Sequence, residues 1–390
     1  MIADVRGGNE NRMTPRERTI ETLLFGEPDK VPFCPGGPRE STLKTWQAQG
    51  LPPDADWFTS LCAQIGVQPD RPKVCGHPGV VFQMIPEFEQ KVLERKAGSL
   101  VVQDWKGNIC EISDQYDPSY LGGKGGKFDF VTRRWIKCPV ENWNDWEEMK
   151  TRYDAKDPAR FPLDFEERCR KLRDRDSYLQ VSFSGPFWQL REWMGFEGLC
   201  MALIEQPELV KGMVAFWQEH VCALLHTLFQ HCTPDCIHIS EDMAYKEKSM
   251  ISPAMCREFL MPTWRRWGDQ AHVAGVPIYA VDSDGYVGEL IPLWIESGFQ
   301  MNDPQEVAAG NDLPAYRRQF GKRMAYSGGI DKRAMAKGGD VIKAEMRRID
   351  PVIKSGGYVP SCDHGVPPDI SWQNMVEFGR LLARATGWLK

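Results

Sequence analysis

No stretch of this 390-residue chain approaches about 18 uninterrupted apolar residues, the length of a membrane-spanning helix. The greasiest segment, Met213 to Phe229, is broken by Gln218, Glu219 and His220. The opening residues, MIADVRGGNENRMTPRER, lack the apolar core of a secretory signal and read as a polar lead-in. An excess of positive charge is missing too. There are 54 acids against 48 bases, a formal charge of −6, whereas a chain that neutralises phosphates is basic as a rule. General nucleic-acid binding is therefore not expected. The 12 cysteines are scattered without paired spacing, Cys232 and Cys236 being the only close pair. That pattern suits free thiols in a reducing cytoplasm. Three common chemical signatures are also absent: a Gly-x-Gly-x-x-Gly after the first strand, a phosphate loop, and His-Glu-x-x-His.

What the chain does contain is a large potential core, with 42% hydrophobic residues and 11% aromatics. Thr14-Pro15-Arg16-Glu17 starts a helix, with proline at its first position and an acid three residues after the threonine. Gly26 and Pro28 end it, and Val31 to Cys34 reads as a short buried strand. Between about 79 and 140, short extended runs alternate with turns, and Asp104 to Asn108 is a hairpin candidate. This block reads as a β-rich insertion. The stretch Gly122 to Gly126 within it reads as a surface loop, since no Gly-Lys-Ser/Thr follows.

From about residue 140, amphipathic segments such as Pro207 to Gln230 and Ile342 to Lys354 alternate with short apolar runs. Those runs are Leu179–Ser184, Cys236–Ser240, Val276–Val281, Phe299–Asn302, Arg323–Ser327 and Tyr358–Ser361. Strand–helix alternation at crossover spacing predicts a parallel sheet. With Val31–Cys34, and one more strand between residues 60 and 85, it would close into a single-domain (β/α)8 TIM barrel spanning residues 1–390. An open doubly wound sheet is the alternative fold, but it would want the missing glycine fingerprint.

In such barrels the chemistry gathers where strand C-termini meet the next loops. Asp282-Ser283-Asp284-Gly285 follows one predicted strand, and alternation puts Asp282 and Asp284 on one face. Two convergent carboxylates call for a cation or a shared proton. The same residues also suit an Asx turn capping a helix. Cys362-Asp363-His364-Gly365 follows the last strand and offers an imidazole as ligand or general acid/base. Ser240-Glu241-Asp242 offers an acid at the mouth, while His238 inside that strand reads as a core or helix-facing residue. Asp331 in Ser327-Gly328-Gly329-Ile330-Asp331 reads as a helix cap. Trp188 and Trp193, just past a strand, suit either an aromatic pocket or packing of the rim.

Several stretches occur in an order that resembles the uroporphyrinogen decarboxylase superfamily, whose fold is a (β/α)8 barrel. They are Met13 to Arg18, Gly26 to Pro32, Ser184-Gly185-Pro186 with Trp193 to Glu197, Ile251-Ser252-Pro253, Gly328 to Asp331, and His364 to Pro368. True uroporphyrinogen decarboxylases carry Arg-Gln-Ala-Gly-Arg-Tyr after the first strand. Here Cys34-Pro35-Gly36-Gly37-Pro38-Arg39-Glu40 stands there, with one arginine for a many-carboxylate substrate. The tyrosine expected after Gly-x-Pro is replaced by Trp193.

A second branch of the superfamily comprises zinc methyltransferases that work with corrinoid proteins, and its metal signature is His-x-Cys-Gly plus a later Cys. Asp282, Asp284 and His364 occupy the corresponding places. The resemblance then implies zinc held by Asp282, Asp284 and His364, with Glu241 as an extra ligand, polarising the oxygen of a methoxylated aromatic compound. Trp188, Arg191, Trp193 and Asn302 would contact that substrate, and the methyl group would pass to a corrinoid carried by a partner protein. The chain itself shows no cobalamin-binding domain. The resemblance leaves room for a metal-free decarboxylase of a tetrapyrrole or small aromatic acid, for a non-enzymatic corrinoid- or tetrapyrrole-binding module, and for a homo-oligomer.

Overall fold

A computed structural model describes residues 12–68, 70, 72–115 and 133–390. The polar lead-in through residue 11 and the glycine cluster Gly122 to Gly126 lie outside the described residues. The first helix spans Pro15–Leu23, and the Thr14 side chain and Glu17 form the reciprocal capping box read from the sequence.

Two sheets organise the chain. The first is antiparallel, in the order β1-β2-β3-β4: β1 (Lys91–Lys96), β2 (Ser99–Gln103), β3 (Ile109–Ser113) and β4 (Arg133–Lys137). The Asp104–Asn108 turn joins β2 to β3, with the Gly107 N–H donating to the Asp104 carbonyl at 3.0 Å and Gly107 at φ +89°. The expected β-rich insertion is thus a four-stranded sheet, seated beside the helix Pro186–Glu205 through a Lys106–Glu192 ion pair.

The second sheet has six strands: β5 (Gln180–Ser184), β6 (Cys236–Ser240), β7 (Ile278–Asp282), β8 (Met301–Asp303), β9 (Ala325–Ile330) and β10 (Tyr358–Cys362). Each pairs in parallel with the next, in sequence order. Helices such as Pro207–His231 and Gly339–Lys354 fill the crossovers.

Among the described residues this ladder does not close on itself. The expected strand at Val31–Cys34 forms no ladder. Its segment carries Pro32, Pro35 and Pro38, which have no N–H to donate, and only a single parallel bridge, Pro38 with Val366, ties it to the sheet side. Among the described residues between 60 and 85 no strand forms either. Trp57–Ile65 is a helix, and the extended stretch beyond it buries Val80, Phe82 and Met84. There the Val81 N–H donates to the Arg160 carbonyl instead of to a strand.

Strand alternation sorts the two faces of the parallel sheet. Ile237, Ile239, Tyr279, Val281 and Tyr326 join the large core under the helices. Cys236, Ile278, Ala280, Met301, Ala325 and Val359 form a second, smaller core with Leu23 of the first helix, on the concave side. That inner face is apolar toward the strand starts and becomes polar toward their C-terminal ends, where the candidate site lies.

Candidate functional site

Register builds the site. Ser184, Ser240, Asp282 and Asp303 stand opposite one another on β5, β6, β7 and β8, one polar row across four adjacent strands. One layer closer to the strand starts, Ser182 pairs with His238. Ser182 is exposed although it lies mid-strand, so the concave side is open along β5.

Asp282 is the centre of the row. Burial pushes its carboxyl up to about 7, with Asp303 and Asp284 adding repulsion and His238 opposing them. Its Oδ1 is buried and has no hydrogen-bond partner. The His238 Nε2 lies 3.0 Å from Asp303 Oδ1. Burial disfavours the His238 imidazolium, but Asp303 outweighs it and raises the histidine above its ordinary value. The His238 Nδ1 is also buried without a partner.

Beyond the strand ends a second group forms. His364 Nε2 lies 3.3 Å from Asp284 Oδ2, and the Arg39 guanidinium lies 3.1 Å from His364 Nδ1. The contact with Asp284 raises His364 above its ordinary value, against burial and the charges of Lys332 and Arg39. Gly285 lets the Asp284 loop pass under its neighbour: a Cβ there would sit 2.3 Å from the Ala244 carbonyl oxygen. A cavity of about 290 Å³ opens beside Asp284, between Tyr245, Lys246, Glu306 and Arg333.

Asp282, Asp284 and His364 therefore all lie at the C-terminal ends of their strands, with a direct contact between Asp284 and His364. The zinc set expected of them is not assembled. Among the described residues no three His, Cys, Asp or Glu side chains stand close enough to hold a metal ion. Glu241 faces the other way and is fully buried. Its carboxylate accepts from the Trp188 N–H at 3.1 Å and from the Trp264 indole, at the start of the helix Pro186–Glu205. Burial pushes it up to about 8. The residues as they stand do not fit the ion that the resemblance implies.

Among the expected substrate contacts, Trp193 is fully buried among Trp146, Tyr153 and Trp217 in the helix layer, so it packs the scaffold instead of lining the cavity. Asn302 is also fully buried. It sits one residue out of the polar row, its Nδ2 donating to the Val281 carbonyl at 3.0 Å and its Oδ1 accepting from Gln305. The polar residue that β8 contributes to the site is Asp303. Arg191 is held by Asp242, donating to its carbonyl and to Oδ2, both at 2.9 Å, and it stacks on Trp188. Trp188 is half-buried. Asp331 caps the helix Lys332–Lys337, as its position suggested. Asp363 fastens loops, accepting from the backbone N–H groups of Val307 and Lys332.

His238 and Asp303 were not among the expected site residues. Alternation along Cys236-Ile237-His238-Ile239-Ser240 places His238 on the face of Ser240. The register that puts Asp303 opposite Asp282 depends on how β7 and β8 align, which neither strand encodes alone.

The family model of uroporphyrinogen decarboxylase (URO-D) matches residues 125–383. Among solved structures, a methyltransferase from Methanosarcina mazei superposes with a TM-score of 0.55 at 15% identity, covering 96% of this chain and 99% of that one. At that identity the likeness is one of fold. No curated protein matches the chain.

Proposed function

The chain belongs to the uroporphyrinogen decarboxylase family, and from that premise we propose that it is a methyltransferase acting on a methoxylated aromatic compound. In this reading the parallel sheet is the laddered part of a (β/α)8 barrel, with the extended segments near Val31 and Val80 filling the remaining positions. The fold shared with a methyltransferase supports it, as does the chemistry of Asp282.

Breaking an aryl methyl ether leaves the bonding electrons on oxygen, so the departing group needs a proton or another electrophile. The observation that carries the reading is the half-buried Asp282 carboxyl, pushed up to about 7 at the C-terminal end of β7 with its Oδ1 buried and unpartnered. A carboxyl raised this far above the ordinary carboxylate range keeps its proton more readily and can donate it to the leaving oxygen, which departs as the phenol. A corrinoid carried by a partner protein would be the methyl acceptor and would supply the electron pair for the new bond as the ether C–O bond breaks. Asp284, His364 and Arg39 at the mouth orient the substrate's polar substituents. No step is routed through zinc.

The test incubates the protein with 2-methoxyphenol and reduced cobalamin and follows methylcobalamin formation by absorbance. Wild type is expected to turn over, with a rate that falls as pH rises through about 7, where Asp282 loses its proton. Asp282→Asn should lower the rate by about 10²–10⁴-fold. Equal rates for the two proteins would overturn the role of Asp282. Release of CO₂ from an aromatic or pyrrole acid, without demethylation, would replace the reading by decarboxylation, which can use the same proton donor.

A further inference from the structure

Among the described residues no carboxylate stands within ion-pair distance of Lys246, a cation at the mouth. Lys246 lies in the loop that follows β6, at the exposed tip of a small hairpin closed by the Ala244–Ser249 bridge. The hairpin is pinned in place. The Tyr245 carbonyl accepts from the Tyr286 N–H at 2.7 Å, and the Ser249 N–H and hydroxyl both donate to Glu289 at 2.7 Å. The Tyr245 ring meets Phe196 edge-on, with centroids 5.7 Å apart.

Lys246 and Arg333 both line the cavity of about 290 Å³ beside Asp284. The acids in that wall are already committed. Asp284 engages His364, while Glu306 accepts from the Lys332 ammonium at 2.9 Å and from the Gly285 N–H at 3.1 Å. Arg333 donates from Nε and Nη2 to Asp331, each at 2.9 Å. That clamp fixes the plane of the guanidinium and leaves Nη1 without a partner among the described residues. The cavity therefore has cationic donors to spare and no acid to match them. Its remaining walls include the Tyr245 side chain and the small apolar residues Ala244, Ala308 and Ala309.

We propose that Lys246 and Arg333 form an anion subsite that anchors the carboxylate of a single-ring aromatic acid, so that the mouth selects a methoxybenzoate over a neutral methoxyarene. This inference rests on the reading of the mouth given above and names the charge class of its substrate.

Size and charge carry the assignment together. The volume stands at the lower edge of small-molecule pockets, which start at about 300 Å³. It takes one ring, and a tetrapyrrole does not fit. Apolar walls with a few polar groups at one end suit a ligand that is flat and apolar with one charged substituent. Its carboxylate would meet an ammonium on a rotatable stem and a guanidinium whose plane is already set. Asp284 and Glu306 do not repel it strongly, because each is matched by a cation of its own. The reach to the proposed proton donor is short. Asp284 is two residues beyond Asp282, so their Cα atoms are at most about 7 Å apart. A ring anchored by its carboxylate beside Asp284 spans that distance and carries an ether at its far end to Asp282. A neutral arene in the same place keeps the ring contacts and leaves both cations to solvent.

Isothermal titration calorimetry of the full chain reads the subsite without turnover. Wild type should bind 4-methoxybenzoate about 5–10-fold tighter than 4-methoxybenzamide, its neutral isostere. Added salt should erode the advantage of the acid and leave the amide alone. Lys246→Met and Arg333→Met should each remove most of the preference without changing the affinity for the amide, and Lys246→Arg should keep it. Both residues are exposed, so a folding defect is not expected, and if one variant fails the other still decides. Acid and amide that bind alike to wild type, or a preference unmoved in both methionine variants, would overturn the proposal. So would acetate binding as tightly as the methoxybenzoate, since the ring would then contribute nothing. The reaction is judged separately. Acid-selective binding without methyl transfer refutes the reaction alone, and demethylation of neutral ethers with no preference for the acid refutes the subsite alone.

Discussion

The carboxyl of Glu241 rests against the backbone of Gly185, so closely that a methyl group on Gly185 would lie 2.2 Å from the Glu241 carboxyl carbon. This contact joins the end of β6 to the start of the helix Pro186–Glu205, and the tryptophans at positions 188 and 264 supply its hydrogen bonds. It explains why an acid at a strand end is not at the mouth.

Gly185→Ala should therefore destabilise the protein even though Gly185 has φ −68°, a value any residue adopts. Overpacking of this kind costs about 1–3 kcal/mol. Denaturant unfolding would measure it, and Gly185→Ala combined with Glu241→Ala should recover part of the loss.

Glu241 also gives stability a defined pH dependence. Its folded value is about 8 against an ordinary 4.5, so the folded state holds a proton that the unfolded state releases between those values. Stability from this group falls as pH rises from about 4.5 toward 8. Glu241→Gln cannot titrate, although it turns one amide donor toward donors and loses a bond. The stability gap between wild type and Glu241→Gln should be largest near pH 5 and narrow by pH 9. Thermal melts across that range would show it.

Much of this architecture was legible in the sequence. The six parallel strands fall within a few residues of their expected places, because each is a short apolar run between long amphipathic helices. The Thr14 capping box and the Asp104–Asn108 turn follow from local chemistry alone. The site was legible in part. Asp282, Asp284 and His364 were placed at strand ends by position, and the Asp284–His364 contact brings two of them together. Glu241 and Asn302 also flank strand ends, but pleating turned each to the helix side. Asp303 and His238 depend on inter-strand register and on which face of β6 is concave, both properties of the assembled sheet.

Asn302 tests that distinction. Its Nδ2 bridges β7 and β8 through the Val281 and Asp303 carbonyls and its Oδ1 accepts from the buried Gln305 amide, so Asn302→Ala removes both links and takes that acceptor from Gln305. The expected loss is about 1–3 kcal/mol of stability, measured by chemical denaturation. Substrate KM, measured below the transition temperature of the variant, should change little. A raised KM at unchanged stability would put Asn302 back among the substrate contacts.

The mouth can be examined through His364, which two opposed neighbours bracket. Asp284 raises it, while Arg39 and Lys332 lower it. A histidine raised on folding contributes stability that is fully present below its unfolded value, about 6.5, and is lost as pH rises through the folded value. The melting temperature of wild type should thus exceed that of His364→Gln most in mild acid, and the two should converge above neutral pH. Arg39 supplies the opposite sign: its guanidinium lies 3.1 Å from Nδ1, where an imidazolium proton would be repelled. Arg39→Ala should raise the His364 titration midpoint and Asp284→Asn should lower it, both read by NMR of the histidine ring protons. Movement of both midpoints in the same direction would mean that His364 does not answer to these two charges, and the arrangement at the mouth would have to be redrawn.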